Sequence, residues 1–196
     1  MIKTIDYYNK NAVAFYQQTV DVDMEALYQP FLRYLSKNAK ILDLGCGSGR
    51  DALAFKQKGY EVEATDYSIN LVEQARKNTG IQVRLESFYD LNGQEKYDGI
   101  WACASLLHCE RSKLSDVLQR LVQALNPNGV CYMSFKYGSE EREKDGRYFT
   151  DLDENQANQL LTQVEHILLL QQWITADKRV DRTEEWLNII FQKRMV

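Results

Sequence analysis

The chain has 196 residues, which suffice for one domain with a sizeable core but not for two of ordinary size. Its hydrophobic content of 44% and charged content of 27% are typical of globular proteins. The net charge of −4 disfavours a nucleic-acid partner, because such partners usually bind a basic face. No stretch has the pattern of a signal peptide or approaches the ~20 apolar residues of a membrane span, so we expect a cytoplasmic protein that does not bind membranes.

The segment before the first predicted strand has the pattern of a helix. Residues 5–35 look helical, and apolar side chains recur from Met24 to Leu35 at the spacing of one buried helix face. Pro30 interrupts this stretch and should kink or split the helix, because proline lacks an amide donor.

Residues 41–51, with the sequence ILDLGCGSGRD, carry the strongest signal in the chain. An apolar run ends in three glycines at alternate positions, Gly45, Gly47 and Gly49, and a helix-compatible segment follows at once. This pattern predicts a buried strand, a tight turn and a helix, the first half of a βαβ unit. Glycine permits backbone angles that other residues avoid, and the missing Cβ lets a ligand lie against the main chain.

A second predicted strand, residues 60–65, ends at Asp66. This is about twenty residues past the glycine turn, where such folds place a carboxylate on a ribose diol. An adenosine-containing cofactor is therefore expected. In the dinucleotide fingerprint G-x-G-x-x-G, Arg50 would be the third glycine. The glycines instead follow Asp43 as G-x-G-x-G.

The remaining elements alternate between strands and helices. Further strands are predicted at residues 81–85, 97–103, 130–135, 166–174 and 185–192. Further helices are predicted at residues 70–78, 114–125 and 150–164. Their expected N-caps are Ser68, Ser112 and a capping box of Thr150 with Asp153. Residues 136–148 are polar, have neither period, and are expected to form a loop.

The run D-L-G-C-G-S-G resembles motif I of the class I S-adenosylmethionine (SAM)-dependent methyltransferases, and its G-S-G-R-D continuation is similar to bacterial tellurite-resistance-type methyltransferases. The resemblance implies a Rossmann-like α/β fold: a seven-stranded, mostly parallel sheet with an antiparallel C-terminal strand, and helices on both faces. It also implies one domain, divided into an N-terminal helical lid (1–37), a SAM-binding βα core (38–135) and a C-terminal part with an acceptor-side loop and the last two strands (136–196).

The resemblance also assigns residues to SAM. It implies that Gly45 and Gly47 face the methionine part, with Asp43 near the ammonium group, and that Asp66 accepts from both ribose hydroxyls. The other cofactor-binding residues expected by similarity are Tyr16, Thr19, Cys46, Arg50, Tyr67, Ser87, Phe88 and Cys103. Tyr67 would pack on the adenine. Ser87 stands where the family usually has an aspartate that reads the adenine, and an ordinary strand end explains Ser87 and Phe88 nearly as well.

His108 is the candidate general base, because an unperturbed histidine pKa near 6.5 suits that role. It is equally well explained as a histidine that orders a loop. The family's [Asp/Asn]-Pro-Pro-aromatic signature of base methylation is absent, which favours a small-molecule acceptor, with release of S-adenosylhomocysteine. Arg50 with four other arginines can form an anion pocket for an acidic acceptor, although surface exposure explains each one singly. Those four are Arg142, Arg147, Arg179 and Arg182.

Two alternatives remain open at this point. A NAD-dependent oxidoreductase would also use Asp66, and a SAM-binding regulatory module would need no catalysis. No cysteines pair as C-x-x-C, so we expect reduced thiols and no metal site. The sequence is compatible with a monomer or a homodimer.

Overall fold

A computed structural model describes residues 2–179 and 182–195. The helices are α1 (Ile2–Thr19), α2 (Glu25–Leu32), α3 (Arg50–Gln57), α4 (Ile69–Thr79), α5 (Leu114–Ala124) and α6 (Glu154–Thr162). The strands are β1 (Lys40–Leu44), β2 (Glu61–Asp66), β3 (Val83–Leu85), β4 (Tyr97–Ala102), β5 (Leu125–Lys136), β6 (Glu141–Lys144), β7 (Arg147–Thr150), β8 (Ile167–Ala176) and β9 (Glu185–Lys193). None of these helices combines the length and apolarity that crossing a membrane requires.

Seven strands form one sheet in the order β3-β2-β1-β4-β5-β9-β8. Strand β9 runs antiparallel to both β5 and β8, and the pairs from β3 to β5 are parallel. The predicted α/β fold with an antiparallel C-terminal strand is confirmed. The strand order reverses between β1 and β4, so the carboxyl ends of these two strands border a crevice where ligands bind in such sheets.

The segment expected to be a loop between β5 and α6 is a β-hairpin. Strands β6 and β7 pair with each other outside the main sheet. Asp145 and Gly146 form the turn, with φ of 53° and 76°. Two positive φ values are those of a type I′ turn, and Asp-Gly is a strong signal for it. The loop prediction was wrong because highly charged flanks, without alternation of apolar residues, hid this dipeptide.

The N-terminal helices separate at residues 20–24, so of the predicted kink or split at Pro30 the split was wrong. Pro30 lies inside α2, close to its end. The break falls in a run of valine and aspartate, which are poorer helix formers than the flanking residues. At the start of α2, the side chain of Asp23 accepts a hydrogen bond from the amide of Glu25 at 2.9 Å.

Two of the predicted helix starts have different outcomes. Ser68 caps α4, as predicted, because its hydroxyl accepts the amide of Leu71 at 3.3 Å. Ser112 does not cap α5, because it lies inside a short 3₁₀ turn and α5 has no side-chain cap. The additional turn moves the start of α5 beyond the serine.

The capping box of α6 begins at Asp153, three residues later than the predicted start at Thr150. Asp153 accepts the amide of Gln156, and the Gln156 side chain reaches back to the amide of Asp153. Thr150 belongs to β7 and donates its hydroxyl to the carbonyl of Cys109 at 2.7 Å. Both residue types suit a capping box, but Thr150 is the last residue of β7, so the helix can begin only after it.

A buried carboxylate joins α2 to the sheet. Asp51, in the first turn of α3, accepts the Tyr28 hydroxyl at 2.7 Å and the Trp101 indole at 2.8 Å. It also accepts Nε and Nη2 of Arg50, at 2.6 and 3.0 Å. Burial opposes ionisation of Asp51, but Arg50, Tyr28 and Trp101 outweigh it and lower the pKa of the carboxyl. One carboxylate thus links α2, α3 and β4.

Replacing this carboxylate tests its contribution to stability. Asp51→Ala should lower the free energy of unfolding by ~3–5 kcal/mol, because it leaves a partly buried guanidinium and two buried donors without their acceptor. Urea denaturation measures the loss. Glu73→Ala, at an exposed position of α4, is the control and should stay within ~0.5 kcal/mol of the parent. A loss as small as that of the control would contradict the linking role.

Candidate active site

The turn after β1 holds its main chain against the next strand. Gly45 and Gly47 have φ of 75° and 57°, which glycine adopts without strain. The amides of Gly45 and Cys46 donate to the carbonyl of Thr65 at 2.8 and 2.9 Å. The amide of Gly47 donates to Oδ2 of Asp66 at 2.9 Å. The predicted turn and the predicted carboxylate are therefore in direct contact.

Asp66 lies at the end of β2 with main-chain donors on both oxygens. Its Oδ1 accepts the amide of Ser68 at 2.8 Å, opposite the contact with Gly47. Burial raises the pKa of Asp66 to about 6, and the backbone amides partly offset this effect. The carboxylate is therefore ionised at neutral pH, and its remaining lone pairs can accept from further donors.

A small cavity of about 90 Å³ lies over the glycine turn. Its lining includes the predicted residues Gly45, Gly47, Asp66, Tyr67, Phe88 and His108, together with Thr4, Ile5, Tyr8 and Phe15 of α1. The volume is far below the ~300–1,000 Å³ usual for small-molecule sites. The ring of Phe15 accounts for this, because a methyl group placed on Gly47 would lie 3.0 Å from it. Phe15 thus occupies the space beside the bare main chain.

A larger cavity of about 360 Å³ lies on the other side of the same α1 residues. Its basic lining residues are Arg50, Lys136, Lys144, Arg147, Lys178, Arg179 and Arg182. Its acidic lining residues, in the described part of the chain, are Asp145 and Asp177. Several cations are paired, for example Lys136 with Glu184 at 2.7 Å and Arg179 with Asp177 at 2.7 Å. The lining still carries a clear excess of positive charge.

The two cavities share a wall. Tyr8, Phe15, Ala104 and His108 line both of them. Ala104, just after β4, has φ of 52° and donates its amide to the Ser134 hydroxyl at 2.8 Å. A positive φ at a residue other than glycine costs energy and often marks a functional site. The end of β4 therefore separates the small cavity from the large one.

His108 lies in this wall with both ring nitrogens engaged. Its Nδ1 lies 2.6 Å from the carbonyl oxygen of Tyr148, and its Nε2 lies 2.8 Å from the hydroxyl of Tyr8. Burial lowers the pKa of His108 to about 4. The half-buried ring does not keep the ordinary pKa near 6.5 that suggested a general base, and His108 as a base stays a prediction. At neutral pH the imidazole is uncharged.

Some predicted residues line neither cavity. Asp43 is buried beneath the turn with Oδ2 unpartnered, and its pKa is raised by burial and by the charge of Asp51. Ser87 accepts the amide of Tyr89 at 3.2 Å, which is the role of an ordinary strand end. The linings of the two cavities also leave out Cys46 and Tyr16. All four residues therefore lie outside the linings of both cavities.

The predicted arginine cluster is largely assembled in the large cavity. Four of its five members line that cavity, together with the predicted residues Thr19 and Cys103. Arg142 is the exception, because its guanidinium pairs with both oxygens of Asp151 at 2.9 and 3.2 Å. Charge alone could not distinguish Arg142 from Arg147, because both guanidinium groups lie 5.2 Å from the ring centre of Phe149 on one face of the hairpin, and only the pairing with Asp151 separates them.

Phe15 and Ala104 are two of the site residues that sequence reasoning missed. Phe15 follows Tyr8 by seven residues, which places the two on one helix face, and their rings are 5.4 Å apart. That spacing was the available signal for Phe15. Ala104 has no such signal, because its importance comes from its backbone conformation.

Comparison with known proteins agrees with this geometry. Residues 41–129 match the model of a methyltransferase domain family. An uncharacterized methyltransferase of Staphylococcus carnosus is 24% identical over 78% of this chain and 81% of its own length. A probable S-adenosyl-L-methionine-dependent methyltransferase, TehB, of Haemophilus influenzae is 27% identical over 65% of this chain, but the match spans only 43% of TehB.

The fold has close counterparts among solved structures. The 1,6-didemethyltoxoflavin-N1-methyltransferase of Burkholderia thailandensis, solved with 1,6-didemethyltoxoflavin and S-adenosylhomocysteine, superposes with a TM-score of 0.78. The match covers 97% of this chain and 85% of that one, at 21% sequence identity. The fold is therefore that of a solved methyltransferase, and residues 41–129 together with the related sequences are similar to SAM-dependent methyltransferases.

Proposed function

We propose that the protein transfers the methyl group of SAM to a small, acidic molecule and releases S-adenosylhomocysteine. SAM, when bound, supplies a methyl group that its sulfonium already activates. The observation that carries the proposal is the wall shared by the two cavities. A cofactor in one cavity and an acceptor in the other would meet at Tyr8, Ala104 and His108. Holding two reactants in contact can supply ~7–11 kcal/mol of the barrier.

The small cavity fits the cofactor in chemistry, and in size once Phe15 moves. The bare main chain of Gly45 and Gly47 would face the methionine part, and Asp66 would accept from the ribose hydroxyls. Tyr67, which is 45% exposed, and Phe88 would enclose the adenine. Asp43 lies beneath the turn, and burial raises its pKa and disfavours its charged form, so it would support the turn rather than attract the ammonium group.

The large cavity supports a small, anionic acceptor. Its volume of about 360 Å³ falls within the range of small-molecule sites. Arg147 adjoins it with a guanidinium stacked 4.2 Å from the ring centre of Tyr7, which orients the planar group. A guanidinium matches the geometry of a carboxylate or phosphate with two hydrogen bonds. The solved Burkholderia enzyme, which holds 1,6-didemethyltoxoflavin, supports the small size of the acceptor.

The same division suggests how the domain is organised. We expect residues 1–37 to act as a lid, residues 38–135 to bind the cofactor and residues 136–196 to complete the acceptor side. The small cavity draws its lining from residues 4–108, whereas residues 132–188 contribute only to the large one. The lid segment contributes Tyr8 and Phe15 to both.

Transfer itself is tested without knowing the acceptor. Purified protein with methyl-labelled SAM and a bacterial metabolite extract should release S-adenosylhomocysteine and label small anionic metabolites, which anion exchange separates. The Asp66→Ala variant is the control for background hydrolysis and should label nothing. Tight binding of SAM with no labelled product from any extract would indicate a SAM-binding module without catalysis. Label in neutral or basic metabolites alone would contradict the acidic acceptor.

Cofactor affinity should depend on the charge of Asp66. The pKa of Asp66 is raised to about 6, and ribose hydroxyls bind the ionised form, so the proton must leave before binding. Affinity for S-adenosylhomocysteine should be constant above about pH 7 and fall by up to about tenfold per pH unit below pH 6. Titration calorimetry from pH 5 to 8 measures this. Asp66→Asn should bind S-adenosylhomocysteine more weakly by ~1.5–3 kcal/mol, and its affinity should not fall at low pH. A pH profile identical to that of the parent protein would show that Asp66 does not contact the cofactor.

Phe15 should slow cofactor entry. Because its ring lies against Gly47, it must leave before the methionine part can enter. Phe15→Ala should therefore raise the association rate constant of S-adenosylhomocysteine several-fold, as measured by stopped-flow fluorescence. Val13→Ala, on the same helix and 64% exposed, is the matched control and should leave the rate unchanged. A slower rate in Phe15→Ala would mean that the ring guides the cofactor instead of blocking it.

A further inference from the structure

A main-chain carbonyl fixes the tautomer of His108. The carbonyl oxygen of Tyr148 can only accept, and it lies 2.6 Å from Nδ1, so Nδ1 carries the hydrogen. Burial lowers the pKa of His108 to about 4, and the nearby positive charge of Arg147 acts in the same direction. The ring is therefore neutral, and Nε2 is left as a bare acceptor.

The bare Nε2 in turn fixes the direction of the Tyr8 hydroxyl. The two atoms are 2.8 Å apart, so the hydroxyl donates its hydrogen to Nε2. Burial raises the pKa of Tyr8 to about 12, and Arg147 only partly offsets this, so the phenol keeps its proton. Arg147 cannot take that proton, because a guanidinium donates and never accepts. The Tyr8 oxygen then offers only lone pairs, and Arg147 donates to one of them, which leaves the other for a further donor.

This oxygen lies in the wall between the cavities. Tyr8 and His108 line both, so the phenol stands where the acceptor would face the methyl group of the cofactor. We propose that Tyr8 selects acceptors whose reacting atom is an amine or hydroxyl that still carries a hydrogen, with His108 as the positioning residue that sets this polarity. The inference rests on the proposed function, since it concerns the acceptor of that same site.

The proposal narrows the acceptor class. The donor hydrogen of the acceptor would point at Tyr8, while its acidic group would lie towards the arginines of the large cavity. A thiolate or a tertiary amine offers no hydrogen and would leave one Tyr8 lone pair unmatched beside the one that Arg147 engages. An O-methylated product has lost the hydrogen that was recognised, so it would bind more weakly than its precursor.

The direction of the hydrogen bonds that link Tyr148, His108 and Tyr8 is testable without any methyl acceptor. The protein has two histidines, so ¹⁵N-histidine spectra are simple, and His166→Gln identifies the signals of His108. At pH 7 the His108 ring should be neutral with its hydrogen on Nδ1, both with and without S-adenosylhomocysteine. Tyr8→Phe should shift the Nε2 resonance and leave the Nδ1 hydrogen in place. A hydrogen on Nε2, or a charged ring, would overturn the proposal.

Ligand preference provides the second test. Calorimetry on protein saturated with S-adenosylhomocysteine would compare 4-hydroxybenzoate with 4-methoxybenzoate, and phenol with anisole. The parent protein should favour the hydroxyl member of each pair by about fivefold to tenfold. Tyr8→Phe should abolish the preference. Tyr137→Phe, which removes a hydroxyl bonded to Glu154 outside both cavities, is the matched control and should retain it.

His108→Phe gives the sharpest outcome. Phenylalanine keeps ring packing against Phe149, whereas the freed Tyr8 hydroxyl can donate into the cavity. The preference should then shrink or reverse towards the methoxy ligands, an effect that mere loss of stability would not produce. Equal binding within both pairs by the parent protein, or no binding at all, would overturn the inference. If the protein discriminates phenol from anisole but binds neither benzoate, the inference about Tyr8 stands. The same result would contradict the acidic acceptor of the proposed function.

Discussion

The site depends on one contact, the hydrogen bond from the amide of Gly47 to the carboxylate of Asp66. It joins the turn after β1 to the end of β2, and so fixes the distance between bare main chain and carboxylate. The left-handed φ of Gly47 directs its amide towards Asp66. Because the carboxylate is desolvated, a hydrogen bond to one of its remaining lone pairs is stronger than it would be in water. The fold therefore fixes the positions of the carboxylate oxygens that would accept hydrogen bonds from a cofactor.

Helix α1 connects the two halves of the site. On the cofactor side, the Ser68 hydroxyl donates to Asn9 at 2.7 Å. On the acceptor side, Thr4 accepts the amide of Tyr148 at 3.0 Å, from the hairpin that also holds His108. Phe15 of this helix lines both cavities, so its movement would change the lining of both. Under the proposed function, binding of cofactor and acceptor would then be coupled.

The sequence predicted those features that depend on neighbouring residues. The glycine turn, Asp66 and the Ser68 cap are each specified within a few positions, and the mostly parallel sheet follows from alternating strands and helices. The environment of His108 was beyond reach, because its two partners lie 100 and 40 residues away. Its pKa depends on burial by these distant segments.

Arg50 belongs to the glycine motif after β1 and also lines the large cavity. In dinucleotide-binding folds this position is a glycine that allows close packing of helix and strand. Here the Arg50 side chain occupies the start of α3, where a positive charge is unfavourable to the helix dipole, and Asp51 compensates with two hydrogen bonds. That pairing keeps the guanidinium at the edge of the large cavity. The departure from the dinucleotide pattern thus extends the glycine turn into the lining of the large cavity.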